Sequence, residues 1–383
     1  MAPAAPKTVS IDLRASHGPP VTLSVAFIVK NEELELERIL RQAAQVADEL
    51  IVVDTGSTDR TKEIALNCGA QVFDFKWIDD FSAARNEAFS HCTKDWILWL
   101  DADDVLPPAT IKAINFHKAH CMTLMDLKTI FCPYHYEYEN GKVAVNLNRE
   151  RIVRNHSGHK WQGRIHEVLS DPWNFSLRVE DVIVEHRTHK DYIARKKTRN
   201  LEIFEQYIDI EKDSLRELFL YGSELHQNKR HDDAEKVLKK YISRADEQKI
   251  MDLCGERYSV LIKLADIYYS TKRLIDCMEM CHAAIKLNPD RAEACTILGV
   301  VYLTSGWPHI ALPWFIYSTL CQIPPATTSL IVQKLYWESP MALIKNCFEL
   351  GLPEEAAKRL SSVSALVNSM ALQVKKAKKK EKK

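Results

Sequence analysis

Apolar and polar residues follow two regimes along this chain, and the change between them falls near residue 190. In the first, short apolar runs of strand length alternate with stretches whose apolar residues recur at helical spacing. Val21 to Val29 is rich in β-branched and apolar residues and stops at Lys30-Asn31-Glu32-Glu33. Leu36, Ile39, Leu40, Ala43 and Ala47 then mark one face of a helix. Leu50 to Val53 is a second strand ending in Asp54, and the turn-rich segment Thr55 to Asp59 opens a helix that Gly69 closes. Gln71 to Phe75 and Trp96 to Leu100 read as further strands, with a helix over Phe81 to Cys92 between them. The series βαβαβαβ predicts an α/β domain with a mostly parallel sheet flanked by helices. Ligands of such sheets sit outside the carboxyl ends of the strands. Polar clusters fall there after strand one (Asn31, Glu32), strand two (Asp54, Asp59) and strand four (Asp101, Asp103).

Past Pro107-Pro108 the pattern is less regular. Tyr134 to Val145 alternates around Asn140-Gly141, a hairpin signal. Ile152 to His189 holds short strand-like runs with many His, Arg and Trp residues and reads as the second half of the same domain. From about Asp191 the second regime is helical and repeats. Leu264-Ala265, Tyr268, Cys277, Cys281 and Ala284 recur 34 residues later as Leu298-Gly299, Tyr302, Ala311, Phe315 and Ser318. Tyr221-Gly222, Leu225, Ala234 and Leu238 fit the same frame earlier, and Gly351, Ala356 and Leu360 fit part of it later. These positions resemble the tetratricopeptide repeat, which implies stacked helix pairs with a concave face. The expected organisation is an extension over 1–20, an α/β domain over 21–190, helices and repeats over 191–372, and a tail over 373–383.

Composition narrows the class. The 383 residues carry 52 Lys plus Arg and 52 Asp plus Glu, so net charge points to no nucleic-acid partner for the folded part. Ten cysteines form no C-x-x-C pair, and Cys277 and Cys281 fall on an apolar face, as reduced core thiols would. No run approaches the roughly 20 apolar residues of a membrane span, and a cytoplasmic protein without a transmembrane segment is expected. The exception to neutrality is Lys375 to Lys383, KKAKKKEKK, a tail suited to anionic partners, nucleic acid included.

The paired acids after strand four carry the chemistry. Asp101 and Asp103 are two apart at a strand end, so both can face one side, where they repel unless a cation lies between them. Mg²⁺ or Mn²⁺ prefers such oxygen ligands, bridges phosphate oxygens and acts as a Lewis acid toward a departing diphosphate. No G-x-G-x-x-G and no P-loop sequence is present, which removes support for a dinucleotide oxidoreductase or a P-loop nucleotidase.

Four segments in order, F-I-V-K-N-E-E (Phe27 to Glu33), V-V-D-T-G-S-T-D-R-T (Val52 to Thr61), F-S-A-A-R-N (Phe81 to Asn86) and W-L-D-A-D-D (Trp99 to Asp104), resemble family 2 glycosyltransferases of the GT-A fold. The resemblance implies a nucleoside-diphosphate sugar donor, usually a uridine one, and inversion at the anomeric carbon. It implies that Asp54 bonds the base, that Ile28, Lys30 and Glu32 line the nucleotide pocket, and that Arg85 faces base or diphosphate. Asp101 would touch ribose and metal, with Ala102 beside the donor, and Asp103 would bind Mn²⁺ or Mg²⁺ directly. Inverting transfer also needs a base on the acceptor side. Trp161-Gln162-Gly163-Arg164-Ile165-His166-Glu167 is similar to the W-x-G-x-x-H-E segment of repeat-bearing members. That likeness implies Glu167 as the base with His166 beside it, and Trp161 as a stacking surface for sugar. The resemblance also implies a late histidine as an additional metal ligand, and His186, ending the strand-like run Val182 to His186, is the natural choice.

Front and rear together resemble the S- and O-glycosyltransferases of glycocin-type peptides, which implies a peptide or protein Cys, Ser or Thr acceptor. Two other readings stay open: the same enzyme acting on a glycan, a lipid or a modified nucleic-acid base, or a non-catalytic nucleotide-sugar-binding scaffold. The array would serve either substrate capture or a homo-oligomer.

Overall fold

Leu23, Val25, Phe27 and Val29 of β1 (Leu23–Val29) face one side of the sheet and Ala26 faces the other, and both sets are buried. The computed structural model describes residues 21–139, 141–187, 190–248, 255–321 and 339–349. β1 pairs in parallel with β2 (Glu49–Asp54) on one side, and β3 (Gln71–Asp74) extends the sheet beyond β2. The other side of β1 pairs in parallel with β4 (Trp96–Leu100). The odd residues of β1 pack with Leu36, Ile39, Leu40 and Ala43 of α1 (Leu36–Ala43), Ala65 of α2 (Thr61–Asn67) and Ile114 of α4 (Pro108–Ala119). Ala26, Ile51, Val53 and Ile97 pack on the opposite face with Ala88 of α3 (Phe81–Ser90) and with Cys92. Each of these larger aliphatic side chains contributes about 1.5–3 kcal/mol by leaving water, and helices on both faces follow from apolar runs buried on both sides.

Beyond β4 the sheet turns mixed. β5 (Asp104–Val105) follows almost at once, and the hairpin of β6 (Thr129–Glu139) and β7 (Lys142–Arg154) is longer than the Asn140-Gly141 signal predicts. β7 runs antiparallel to β4. β10 (Ser176–Arg178) and β11 (Val184–His186) pair in parallel with β6. β5 closes the order β3-β2-β1-β4-β7-β6-β11-β5 by pairing antiparallel with β11. In that register His186 lies opposite Asp104. A separate two-stranded ribbon joins β8 (Trp161–Gln162) to β9 (Val168–Leu169).

Every regular element described from residue 190 is a helix, as the second regime predicts. The chain divides into two compact units. The first takes in α5 (Lys190–Tyr207), α6 (Leu215–Gln227) and α7 (His231–Glu247) with the sheet. The second holds α8 (Glu256–Ser270), α9 (Leu274–Leu287), α10 (Ala292–Thr304), α11 (Pro308–Leu320) and α12 (Ser339–Glu349). Consecutive helices pack as pairs, α6 with α7, α8 with α9 and α10 with α11. The small residues of the repeat allow the approach: a Cβ on Gly222 would lie 2.5 Å from Leu238 Cδ2, and one on Gly299 would meet the Phe315 ring. Cys277 and Cys281 are free thiols fully buried in α9. The partial repeat at Gly351, Ala356 and Leu360, the basic tail and the N-terminal extension lie outside the described residues. Among the described residues no helix is long and apolar enough to cross a membrane.

Candidate active site

The carboxyl ends of β1 and β4 open into a cleft of about 450 Å³. Ile28, Lys30 and Glu32 reach it from the end of β1, and Arg85 from α3. Asp101, Ala102 and Asp103 line it directly after β4, His166 and Glu167 after β8, and His186 at the end of β11. Ten of the twelve residues singled out from sequence thus line this one cleft. Asp54 and Trp161 are buried and are not among its lining residues. Asp54 is 1% exposed; its Oδ1 accepts from the amides of Gly56 (3.0 Å) and Ser57 (2.9 Å), holding the turn that carries Thr55 into the cleft. Its Oδ2 is buried without a hydrogen-bond partner. Trp161 is 2% exposed and packs edge-on against Trp99 and Phe89, so its ring face is not presented to a ligand.

At the acidic end, the side chains of Asp103, Asp104 and His186 offer ligand atoms within 4.8 Å of one another. His186 Nδ1 is buried without a hydrogen-bond partner, 3.5 Å from Asp103 Oδ1, and its ring stacks on Tyr136 at 4.9 Å. Two carboxylates and an imidazole form a hard donor set that suits Mn²⁺ or Mg²⁺, and an orphaned buried nitrogen aimed at a carboxylate fits the same purpose. Asp104 is already engaged: it is fully buried, 3.0 Å from Arg151 Nη1, accepts from Tyr134 Oη at 2.9 Å, and accepts from the Asp101 amide at 2.9 Å. Burial pushes its carboxyl up to about 6, against the pull of Arg151 and with the charges of Asp101 and Asp103 adding to the rise. Arg151, also fully buried, lies over the Trp99 and Tyr134 rings at 4.0 and 4.2 Å. Asp104 therefore anchors the acidic loop, with Asp103 and His186 beside it as the further members of the donor set.

Arg85 joins the two ends. Its Nη2 donates to Asp101 Oδ1 at 2.9 Å and its Nε to Glu167 Oε1 at 2.7 Å, while the guanidinium lies over the Trp99 ring at 4.3 Å. Burial works against this cation, but the charges of Asp101 and Glu167 outweigh it and hold its pKa above the ordinary arginine value. At the far end, His166 takes a left-handed backbone, φ +52°, and its Nε2 lies 2.7 Å from Glu224 Oε1 on α6. Asp104, Arg151, Tyr134, Tyr136 and Glu224 were not singled out from sequence. Their partners lie tens of residues away, and only the adjacency of Asp104 to the D-A-D pair offered a signal.

Residues 24–121 match the glycosyl transferase family 2 profile. A glycosyltransferase of Bacillus subtilis, the SPbeta prophage-derived SunS, is 27% identical over 230 residues, covering 58% of this chain and 53% of that protein. A TPR repeat-containing protein of Synechococcus elongatus is 36% identical over 151 residues, 39% of this chain and 36% of that one. This chain thus spans about half the length of SunS and about a third of the second relative. A solved structure of glucosyl-3-phosphoglycerate synthase from Mycobacterium tuberculosis with Mn²⁺, uridine diphosphate and product aligns at 17% identity and TM-score 0.35, covering 48% of this chain and 77% of that one. With the matched segment supplying β1 to α4 and the acidic loop, the front of the chain is a glycosyl transferase family 2 domain, followed by an all-helical region.

Proposed function

We propose that the chain is an inverting, metal-dependent glycosyltransferase that moves a sugar from a uridine-type nucleoside diphosphate to a Cys, Ser or Thr side chain of a peptide. The observation that carries this reading is the two-ended cleft. An oxygen-rich set suited to a divalent cation lies at one end, and an imidazole–carboxylate pair, His166 and Glu167, lies at the other. Asp101, Asp103 and His186 would hold Mn²⁺ or Mg²⁺, which supplies Lewis-acid stabilisation to the charge on a departing diphosphate. Lys30 and Arg85 add fixed positive charge beside the same position. Ile28, Glu32 and Ala102 would bound the nucleotide, Asp54 would act through the turn it holds, and Trp161 would back Arg85 from beneath. The resemblance to SunS and to a TPR repeat-containing protein supports a sugar-transfer centre coupled to helix pairs that grip a polypeptide.

The test is release of uridine diphosphate from UDP-glucose by the full chain with and without Mn²⁺. Turnover should need the cation and vanish in Asp103→Ala while the circular dichroism spectrum is unchanged. Equal rates with and without Mn²⁺ would remove the metal from the reading, and no turnover over a broad panel of nucleotide sugars would favour a binding scaffold.

A further inference from the structure

One contact at the acceptor end comes from a helix outside the sheet. Glu224 on α6 is 5% exposed, and its Oε1 accepts from His166 Nε2 at 2.7 Å and from Asn200 Nδ2 at 3.2 Å. An ionised carboxylate only accepts, so Nε2 of His166 carries the proton and, in the neutral ring, Nδ1 carries the lone pair. The ring is carried on a left-handed backbone, φ +52°, a conformation that residues with a Cβ rarely adopt. Arg216 Nη2 holds the His166 carbonyl from the same helix as Glu224, at 3.5 Å. Glu167, next in sequence, is differently placed. Its Oε1 is taken by Arg85 at 2.7 Å, and a proton arriving there would leave a buried guanidinium beside a neutral acid.

Resting on the transferase reading above, we propose that His166 Nδ1 is the base that takes the acceptor proton, and that Glu224 is its positioning residue. As the acceptor oxygen or sulfur bonds to the anomeric carbon, its proton passes to Nδ1. The bond from that carbon to the diphosphate oxygen breaks, and its electron pair leaves with the nucleoside diphosphate. The imidazolium that results lies against the Glu224 carboxylate, which stabilises it as the buried carboxylate of a catalytic triad does. Asn200 fixes the carboxylate from α5. The site is then completed by helices that follow the sheet, and its base is set by a residue 58 positions downstream.

The experiment uses the full chain, UDP-glucose with Mn²⁺ (water serving as acceptor), and ¹⁵N spectra of histidine-labelled protein with His166→Gln to assign the ring. In the parent the ring should be the Nε2–H tautomer. Glu224→Ala should lose that preference and lower kcat about 100-fold, with KM for UDP-glucose within about twofold, since donor contacts are untouched. Glu224→Gln keeps an acceptor oxygen without the charge, so it should restore the tautomer and part of the rate; it also carries the comparison if the alanine variant folds poorly. His166→Gln should cost more than Glu167→Gln. Parent-like kcat in both Glu224 variants, or a larger loss in Glu167→Gln than in His166→Gln, would overturn the assignment. If the parent releases no uridine diphosphate, the transferase reading fails, and the tautomer comparison still decides whether Glu224 sets the ring proton.

Discussion

Among single side chains, Arg85 bears the most. It is 7% exposed and carries two ion pairs, to Asp101 at 2.9 Å and to Glu167 at 2.7 Å. Removing one partner of a buried pair leaves charge without compensation, a loss of about 3–5 kcal/mol. Arg85→Ala should show a destabilisation of that size in urea, together with loss of turnover. Arg85→Lys cannot place two rigid N–H groups on both acids, so it should keep more of the stability than of the rate; equal retention of both would contradict the bridging role. Many of these residues were legible because their chemistry follows strand ends, as with Asp101 and Asp103 after Trp96–Leu100. Arg151 was not. It sits inside a strand, where an arginine looks like an outward residue, and its complete burial rests on Asp104, the Trp99 carbonyl and the Trp99 and Tyr134 rings, all distant in sequence.

Among elements, the parallel core was read almost to the residue because each strand is a short apolar run closed by polar turn residues. The mixed edge was not, since β5, β10 and β11 are two or three residues long and carry no periodicity of their own. The core strands are tied together at their other end by Glu49. Burial pushes its carboxyl up, but hydrogen bonds from Ser24 Oγ, the Thr93 amide and Thr93 Oγ1 outweigh it and hold it below its ordinary value of 4.5. A carboxyl lowered in the folded state gives stability that is complete above the unfolded value and is lost as pH falls through the folded one. Glu49→Gln should therefore lose less stability than the parent between pH 7 and pH 3, as measured by urea unfolding; an equal loss would assign the acid sensitivity to other groups. The helix pairs make a separate prediction. Gly222→Ala places a methyl group 2.5 Å from Leu238, and such overpacking costs about 1–3 kcal/mol, seen as a lower melting temperature. A melting temperature equal to or above that of the parent would show that the pair can spread freely.

Over the whole molecule, the segment matching the family ends at residue 121, yet the cleft also draws on residues 134 to 200. The family motifs made the side formed by the ends of β1 and β4 legible, whereas the opposite side rests on contacts between distant segments that no local pattern announces. Chelation by EDTA should weaken binding of uridine diphosphate by the parent, measured by calorimetry, and should change it little in Asp103→Ala; a parent affinity indifferent to EDTA would place the diphosphate on side chains alone.

The shared guanidinium has a thermodynamic corollary. Asp101 and Glu167 share one cation through different nitrogens, so a ligand that draws negative charge away from either leaves Arg85 more firmly with the other. Linkage is reciprocal: whatever factor the first substrate imposes on the affinity of the second, the second must return to the first. On the proposed transfer reaction, donor and acceptor should therefore not bind independently, and their cooperativity should disappear when Arg85 is replaced.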